Sequence, residues 1–231
     1  MNNIKGMPLV NIVAAEIITE GDSPALMCFD TASSVTPEPF VSEGEEKELR
    51  VKNQILAQNC LEDIIKGYDI KLKDVVFRPE LFALLDGGQS SELYSGNMSR
   101  YAAPVASQVS NRTRFTLRLY SEEKNGNGEP ASYCRFSFPQ CVGTPASFSL
   151  EDGSFFAPEY EIHSRPSSGE SAMIIECMSS MPTYVSDAAD FPASPEVGAE
   201  FIATQMMSGF SGIELNAGES VYWNGSSYIK E

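Results

Sequence analysis

Apolar and polar residues alternate along several short segments of the chain, and turn sequences separate these segments. In the clearest segment, Arg112–Ser121, the apolar members are Phe115, Leu117 and Leu119. Side chains of a strand point alternately to the two faces of a sheet, so a period of two indicates half-buried strands. An Asn-Gly pair at positions 125 and 126 leads to a second alternating segment, Ala131–Pro139, and predicts a hairpin between the two.

Other segments continue this series. Their ranges are Leu9–Ile18, Ala25–Phe29, Ile70–Asp74, Ser154–Ser164 and Ala172–Ser179. We therefore predict a mainly β fold, an antiparallel β-sandwich. No repeat of fixed period is present.

One short helix is predicted beside the sandwich, between Arg78 and Gly88. Pro79 suits the first helical turn, and Gly87 suits a left-handed stop. The apolar stripe of the helix consists of Leu81, Leu84 and Leu85.

The chain divides by composition into a core, residues 1–181, and an extension, residues 182–231. Within the core, the Ser-, Thr-, Pro- and Glu-rich stretch 30–48 predicts a long loop or arm, and residues 122–130 predict a hairpin loop. The extension begins with a Pro-rich linker without basic residues, 182–196. A helix over Pro195–Met207 and a hairpin with its turn at Asn224 and Gly225 are predicted to follow.

The charge is strongly and unevenly negative. There are 16 Lys and Arg residues against 32 Asp and Glu residues, and the last 96 residues carry 13 acidic and 2 basic ones. Tight nucleic-acid binding and binding to anionic membranes both rely on basic residues, so the chain is expected to bind neither. No apolar run is long enough to span a bilayer, and no export signal is readable.

The residues needed for common catalytic and metal sites are scarce. His163 is the only histidine, and the phosphate-binding, dinucleotide-binding and nucleophile-elbow motifs are absent. We therefore expect no enzymatic activity, no catalytic or metal site and no cofactor. The five cysteines contain no C-x-x-C pair and indicate reduced thiols, with a Cys134–Cys141 bridge as the alternative.

Two blocks of sequence show a resemblance to a known family. The first ends in GYDIKLKDVVFRPELFALLDGG, between Lys52 and Gly88, and the second is SFSLEDGSFFAPEYEIHSRP, from Ser147 to Pro166. Together they resemble the major tail tube proteins of long-tailed bacteriophages and of related phage-tail-like particles. In element order the resemblance covers about residues 1–180.

The resemblance implies a structural virion protein rather than an enzyme. In that family six copies form a ring, inner sheets join between subunits into a continuous ring-shaped barrel, and rings stack into a hollow tube through which DNA passes without tight binding. Implied partners are further copies of the chain, tape-measure, tail-terminator and baseplate or tail-tip proteins. Synthesis in the host cytoplasm and residence in the virion tail are implied as well.

The resemblance also predicts contacts. Residues expected to meet neighbouring subunits or rings are Glu43, Glu45, Glu46, Glu122, Glu123, Asn125, Gly126, Asn127 and Gly128. Six copies of a chain with charge −16 would carry −96, and a lumen lined by carboxylates would repel DNA phosphates. The alternative is a virion decoration or receptor-binding β protein, in which Tyr222 and Trp223 of the last hairpin form a carbohydrate platform.

Overall fold

A computed structural model describes residues 6–93, 98–110, 112–146, 148, 150–210 and 212–230. Residues 147 and 149 of the second sequence block therefore lie outside the described residues. Strands of the first 180 residues are β1 (Leu9–Thr19), β2 (Leu26–Phe29), β3 (Ala32–Ser42), β4 (Glu46–Val51), β5 (Gln54–Cys60), β6 (Ile64–Asp74), β7 (Gln89–Leu93), β8 (Met98–Ala102), β9 (Phe115–Lys124), β10 (Pro130–Gly143), β11 (Glu159–Ser164) and β12 (Ile174–Met178). The helix α1 spans Pro79–Asp86.

The main sheet is antiparallel throughout, in the order β2-β1-β9-β10-β11-β6-β3. The long strand β10 changes partner along its length: its first half pairs with β12 and its end with β11. The change falls at Gln140, where φ is 51° and the register against β9 shifts. This bend allows the two halves of the sheet to enclose a common interior.

The interior is one hydrophobic cluster to which both halves of the sheet contribute. Fully buried members include Ile17 of β1 and Leu117 of β9 on one half, and Ile70 of β6 and Ile162 of β11 on the other. The predicted mainly β fold with antiparallel pairing and one short α-helix is thus confirmed. The predicted hairpin is also present, because β9 and β10 pair around a turn in which the Asn125 side chain accepts the backbone N–H groups of Asn127 and Glu129.

The predicted helix is found where its sequence signals place it. Pro79 opens α1, and Gly87 ends it in the left-handed conformation at φ 81°. Leu81 and Leu85 are buried in the main core, while Leu84 is half-buried against it. The helix approaches the end of β10 so closely that a Cβ atom at Gly143 would lie 2.3 Å from the Leu85 carbonyl oxygen.

The prediction of a long loop over residues 30–48 is wrong. The stretch contains β3 and the start of β4, and only residues 43–45 between them are irregular. Pro37 and Pro39 suggested a loop because proline cannot donate to a sheet ladder. β3 is the last strand of the main sheet, and on an edge strand the missing N–H groups can face away from the sheet.

The C-terminal extension is also built of strands. They are β13 (Thr183–Val185), β14 (Glu200–Ala203), β15 (Met207–Phe210), β16 (Ile213–Leu215), β17 (Ser220–Trp223) and β18 (Tyr228–Lys230). The final hairpin, β17 with β18, confirms the prediction made for it. The predicted Pro-rich linker contains β13, which pairs in parallel with β14, and a short 3₁₀ helix at Ala188–Asp190.

The predicted helix over Pro195–Met207 is wrong. All four residues of β14 are buried, whereas the apolar residues Val197 and Met206 within the predicted helix are 73% and 78% exposed. A short apolar run that is buried on both faces fits a strand as well as a helix, and its periodicity alone cannot separate the two. Phe201 of β14 joins Val185, Leu215 and Val221 in a second hydrophobic cluster.

Replacing Leu85 by alanine tests the helix packing. We expect the free energy of unfolding to fall by about 2–5 kcal/mol, because the side chain is fully buried and its loss leaves a cavity. The measurement is urea denaturation followed by circular dichroism. Leu84→Ala, the same change on the half-buried neighbour, is the control; equal losses for the two variants would contradict the packing described.

Candidate assembly surface

A long two-stranded ribbon extends from the main sheet. β3 and β4 run outward and β5 and β6 return, with the reversal at Lys52 and Asn53. Between the paired segments, the Gly44 N–H donates to the Asp63 carboxylate and the Leu61 N–H to the Glu45 carbonyl. The base of the ribbon belongs to the sheet through β11, whereas the distal part, residues 46–60, pairs only with itself among the described residues.

The distal ribbon exposes an unusual amount of apolar surface. Every residue of β4 and β5 is exposed. Seven large apolar residues between positions 49 and 65 are 50–66% exposed: Leu49, Val51, Ile55, Leu56, Leu61, Ile64 and Ile65. Concentrated apolar surface of this kind marks interaction sites, whereas single exposed apolar residues are ordinary.

The two faces of the distal ribbon differ in character. Leu49 lies opposite Ala57 in the register, and Val51 lies two residues further along the same face of β4. Glu46, Glu48 and Arg50 alternate with them on the other face, where the Arg50 Nη2 atom lies 2.5 Å from the Glu48 carboxylate. The first face also carries Lys47 and Gln54, and the second carries Ile55 opposite Arg50, so the first face is the less charged one and both faces expose apolar side chains.

The distal ribbon carries little net charge in a strongly acidic chain. Residues 46–60 contain two acidic and three basic residues, whereas the whole chain has a net charge of −16. A second acidic molecule approaching the distal ribbon meets little net local charge, so repulsion between copies is weak there.

The two sequence blocks meet at the base of the ribbon. Asp69, from the Gly-Tyr-Asp stretch, accepts hydrogen bonds from Arg165 at 2.5 Å and contacts His163 Nδ1 at 2.6 Å. Arg165 also donates to the Tyr68 carbonyl and lies over the Phe40 ring, 4.0 Å from its centre. Burial raises the pKa of Asp69, but the hydrogen bonds from Arg165 and His163 outweigh it and hold that pKa below its ordinary value.

The predicted contact residues fall at two places. Glu43, Glu45 and Glu46 are exposed at the joint between the sheet and the distal ribbon. The β9–β10 turn exposes Asn125, Gly126, Asn127 and Gly128. Glu122 and Glu123 lie on β9, half-buried, where they contact Asn11 and Ser132 respectively. Their contacts with other subunits stay a prediction.

The extension is attached to the main sheet through a buried arginine of β10. Arg135 donates to Glu176 at 2.8 Å, to Glu200 of β14 at 2.7 Å and to the Tyr222 hydroxyl at 3.3 Å. Arg135 and Glu200 are 3% and 6% exposed. Burial lowers the pKa of the guanidinium, but hydrogen bonds to Glu176 and Glu200 outweigh it and raise the pKa, so Arg135 stays charged.

Glu16 of β1 makes a second link to the extension. The Tyr184 hydroxyl of β13 donates to the Glu16 carboxylate at 2.6 Å, and Arg118 lies 3.6 Å from the same carboxylate. Arg118 also donates to the Gly218 carbonyl. Arg118 of β9 and Arg135 of β10 thus contact carboxylate or carbonyl groups of both the main sheet and the extension.

Tyr222 and Trp223, the residues predicted as a carbohydrate platform, do not form one surface. Successive residues of a strand point to opposite faces of the sheet. The Tyr222 hydroxyl is directed to Arg135, whereas Trp223 packs on Tyr228 across the hairpin with ring centres 4.9 Å apart. Both side chains are half-buried.

Within the described residues, no three His, Cys, Asp or Glu side chains are grouped so that they could hold a metal ion. The same residues contain no helix long and apolar enough to cross a membrane.

Comparison with solved structures gives a distant likeness. A chain of the anti-feeding prophage baseplate, solved by cryo-electron microscopy with six-fold symmetry, shares 11% identity at a TM-score of 0.36. The match covers 75% of the present chain and 97% of the prophage chain. No protein-family model matches, and no curated protein matches in sequence. At this identity and TM-score the likeness carries no conclusion about function.

Sequence reasoning missed the ribbon and the buried arginine. Because of its prolines, β3 was predicted as a loop. The spacing of these prolines at alternate positions, 37 and 39, is nevertheless compatible with an edge strand. A continuous exposed hairpin was detectable in the apolar residues on both sides of Lys52-Asn53. Arg135 has no local signal, because its partners Glu200 and Tyr222 are 65 and 87 residues away along the chain.

Replacing Arg135 by methionine tests the link to the extension. We expect unfolding free energy to fall by about 3–5 kcal/mol, because Glu200 would be left buried without its cation. The double variant Arg135→Met/Glu200→Leu should recover most of this loss. Urea denaturation measures both.

Arg50→Met removes an arginine from an exposed ion pair and is the matched control. Its expected cost is at most about 1 kcal/mol. An Arg135→Met variant as stable as this control would show that the buried contacts do not hold the extension.

Proposed function

We propose that this chain is a non-enzymatic structural subunit of a bacteriophage tail or a phage-tail-like particle. In this proposal six copies associate through their ribbons into a ring, and rings stack into a hollow tube through which DNA passes. The observation that supports it is the exposed apolar distal ribbon of low net charge, which is continuous with a well-packed sheet. The resemblance of the two sequence blocks to tail tube proteins supports the particle class.

The ribbon needs a partner for physical reasons. A two-stranded hairpin is marginally stable alone in water, and the face with Leu49 and Val51 has no covering element among the described residues. A second copy of the same chain supplies both exposed apolar side chains and unpaired strand edges of β4 and β5. Pairing between ribbons would bury the apolar side chains and satisfy the free backbone groups together.

Charge also favours self-association at this place. Six copies would carry −96, and contact is less opposed at the distal ribbon, where the local net charge is small. Closed pairing around a ring leaves no free edge in the paired region, which prevents unlimited lateral growth. The edge of β3 is less suited to this pairing, because Pro37 and Pro39 lack N–H donors.

The residues predicted to contact other subunits or rings would have the same role in this proposal. Glu43 and Glu45 would lie at the start of the intersubunit surface, Glu46 would lie at its lumen-facing edge, and the turn with Asn125 and Gly126 would reach a neighbouring ring. The tape-measure, terminator and baseplate or tail-tip proteins would be further partners.

The more charged face of the ribbon is proposed to face the lumen. With the face of Leu49 and Val51 covered by a neighbour, Glu46 and Glu48 would remain in contact with water. Carboxylates at the wall would repel DNA phosphates and reduce adhesion during ejection. The basic residues Lys47, Arg50 and Lys52 of the distal ribbon limit this effect to the local arrangement of charges.

The double variant Leu49→Glu/Val51→Glu tests assembly. The unmodified protein should form rings and tubes that are detected by negative-stain microscopy and sedimentation. We expect the double variant to form neither, because assembly would bury at least four charges in each interface. The subunit itself should stay folded by circular dichroism, since both residues are exposed.

Val197→Glu, at a 73% exposed position of the extension, is the control and should leave assembly intact. Tubes that persist in the double variant would contradict a ribbon interface. An unmodified protein that stays monomeric at every concentration and salt would contradict the assembly proposal itself.

The variant Glu46→Lys/Glu48→Lys tests the lumen charge. Assembled tubes of this variant should retain DNA, with binding that falls steeply as salt is raised. Retention of labelled DNA by sedimented tubes is the measurement, and ejection from particles carrying the variant should be slower. Glu151→Lys/Asp152→Lys, the same charge change in an exposed turn outside the ribbon, is the control; equal retention by the two variants would place the effect outside the lumen.

A further inference from the structure

Two cysteines face each other across neighbouring strands. Cys134 of β10 and Cys177 of β12 are register partners in the antiparallel ladder. Their sulfur atoms lie 2.6 Å apart. Directly opposed residues of antiparallel strands have Cα separations of about 4.5–5.5 Å, within the range that a disulfide bridges.

The other cysteines have different surroundings. Cys141 is buried and directed to the Phe138 carbonyl, Cys28 contacts the Tyr184 hydroxyl, and Cys60 is exposed on the ribbon. The alternative bridge between Cys134 and Cys141 is not formed. The two residues are seven positions apart on one strand, which corresponds to about 20 Å in extended chain.

We propose that Cys134 and Cys177 are a thiol–disulfide pair, reduced in a reducing compartment and joined when the protein meets a low-molecular-weight disulfide such as oxidised glutathione. This inference is independent of the proposed assembly. It concerns a covalent bond within one chain.

The two thiols have unequal access, which sets the order of the steps. Cys177 is exposed and borders an open cleft of about 550 Å³ lined also by Met7, Glu123 and Ser132. Cys134 is buried, and burial together with the neighbouring Cys177 raises its pKa to about 11. Cys177 is therefore the thiol that reacts first with a dissolved disulfide.

The chemistry balances as two exchanges. The Cys177 thiolate attacks one sulfur of oxidised glutathione, forms a mixed disulfide and releases one glutathione thiolate. Cys134 then loses its proton and attacks the Cys177 sulfur, which releases the second glutathione. Overall two protein thiols are oxidised to one disulfide, and one glutathione disulfide is reduced to two glutathione thiols.

The bond would reinforce the attachment of the extension. β12 pairs only with β10 among the described strands. The next register pair along the same ladder is Arg135 with Glu176, and Arg135 also holds Glu200 of β14. A covalent link at Cys134–Cys177 keeps β12 and Glu176 beside the arginine on which this contact depends.

The test uses the full chain carrying Cys28→Ser and Cys60→Ser, which removes the other two exposed thiols. After incubation with oxidised glutathione, the intact mass should fall by about 2 Da, for two hydrogen atoms, and return on reduction. Peptide mapping should find residues 134 and 177 in one linked species. Oxidation should raise the melting temperature by about 5–10 °C, because the bond closes a long loop.

Cys177→Ser in the same background is the control. It changes an exposed residue, and it should show neither the mass loss nor the rise in melting temperature. A stable glutathione adduct on Cys177 in place of the bridge would overturn the proposal, and so would a bridge that involves Cys141. If the variant folds poorly, protection of Cys134 and Cys177 from alkylation in the oxidised parent chain decides the question: full alkylation of both would overturn the proposal.

Discussion

The distal ribbon cannot bury its own apolar side chains, and it projects from the main sheet to which its base belongs. Two strands make only two faces, so Leu49 and Val51 stay in water unless another molecule covers them. The base is anchored where the ladder enters the main sheet, at Asp69 and Arg165. Behind that point the bend of β10 closes the sheet over one core, and α1 fills its end. The ribbon thus has an anchored base and a tip with exposed apolar side chains, and this is the physical reason for proposing self-association.

The parts of the fold that the sequence predicted are those with local causes. Pro79 and Gly87 mark the ends of α1 through their own backbone preferences, and Asn125 forms the β9–β10 turn with its own side chain. The errors have distant causes. Pro37 and Pro39 are compatible with a strand only because β3 lies at the edge of the sheet, and Glu200–Ala203 is a strand because β13 and β17 flank it. Of the surface, the net charge and the exposed turns were predictable from the sequence. The full length of the ribbon was not, because it depends on the pairing of β3 with β6, whose residues are distant in the chain.

Arg135 provides a positive charge for the strongly acidic last part of the chain. The last 96 residues contain only two basic residues, so their buried carboxylates must find cations elsewhere. Arg135 is the last residue before that stretch, and it pairs with Glu176 and Glu200 within it. Arg118 adds a contact to the Gly218 carbonyl. The acidic extension is thus attached through arginines of the front part of the chain, and neither part completes its electrostatic contacts alone.

Pro37 and Pro39 have a consequence for the chain while it is being made. In the proposed particle many identical chains are made close together, and a long unpaired strand edge favours pairing between molecules into fibres. Two prolines at alternate positions of β3 deprive such a misdirected ladder of donors, yet leave the pairing with β6 in place. The two prolines that suggested a loop therefore make the free edge of β3 a poor template for pairing with another strand.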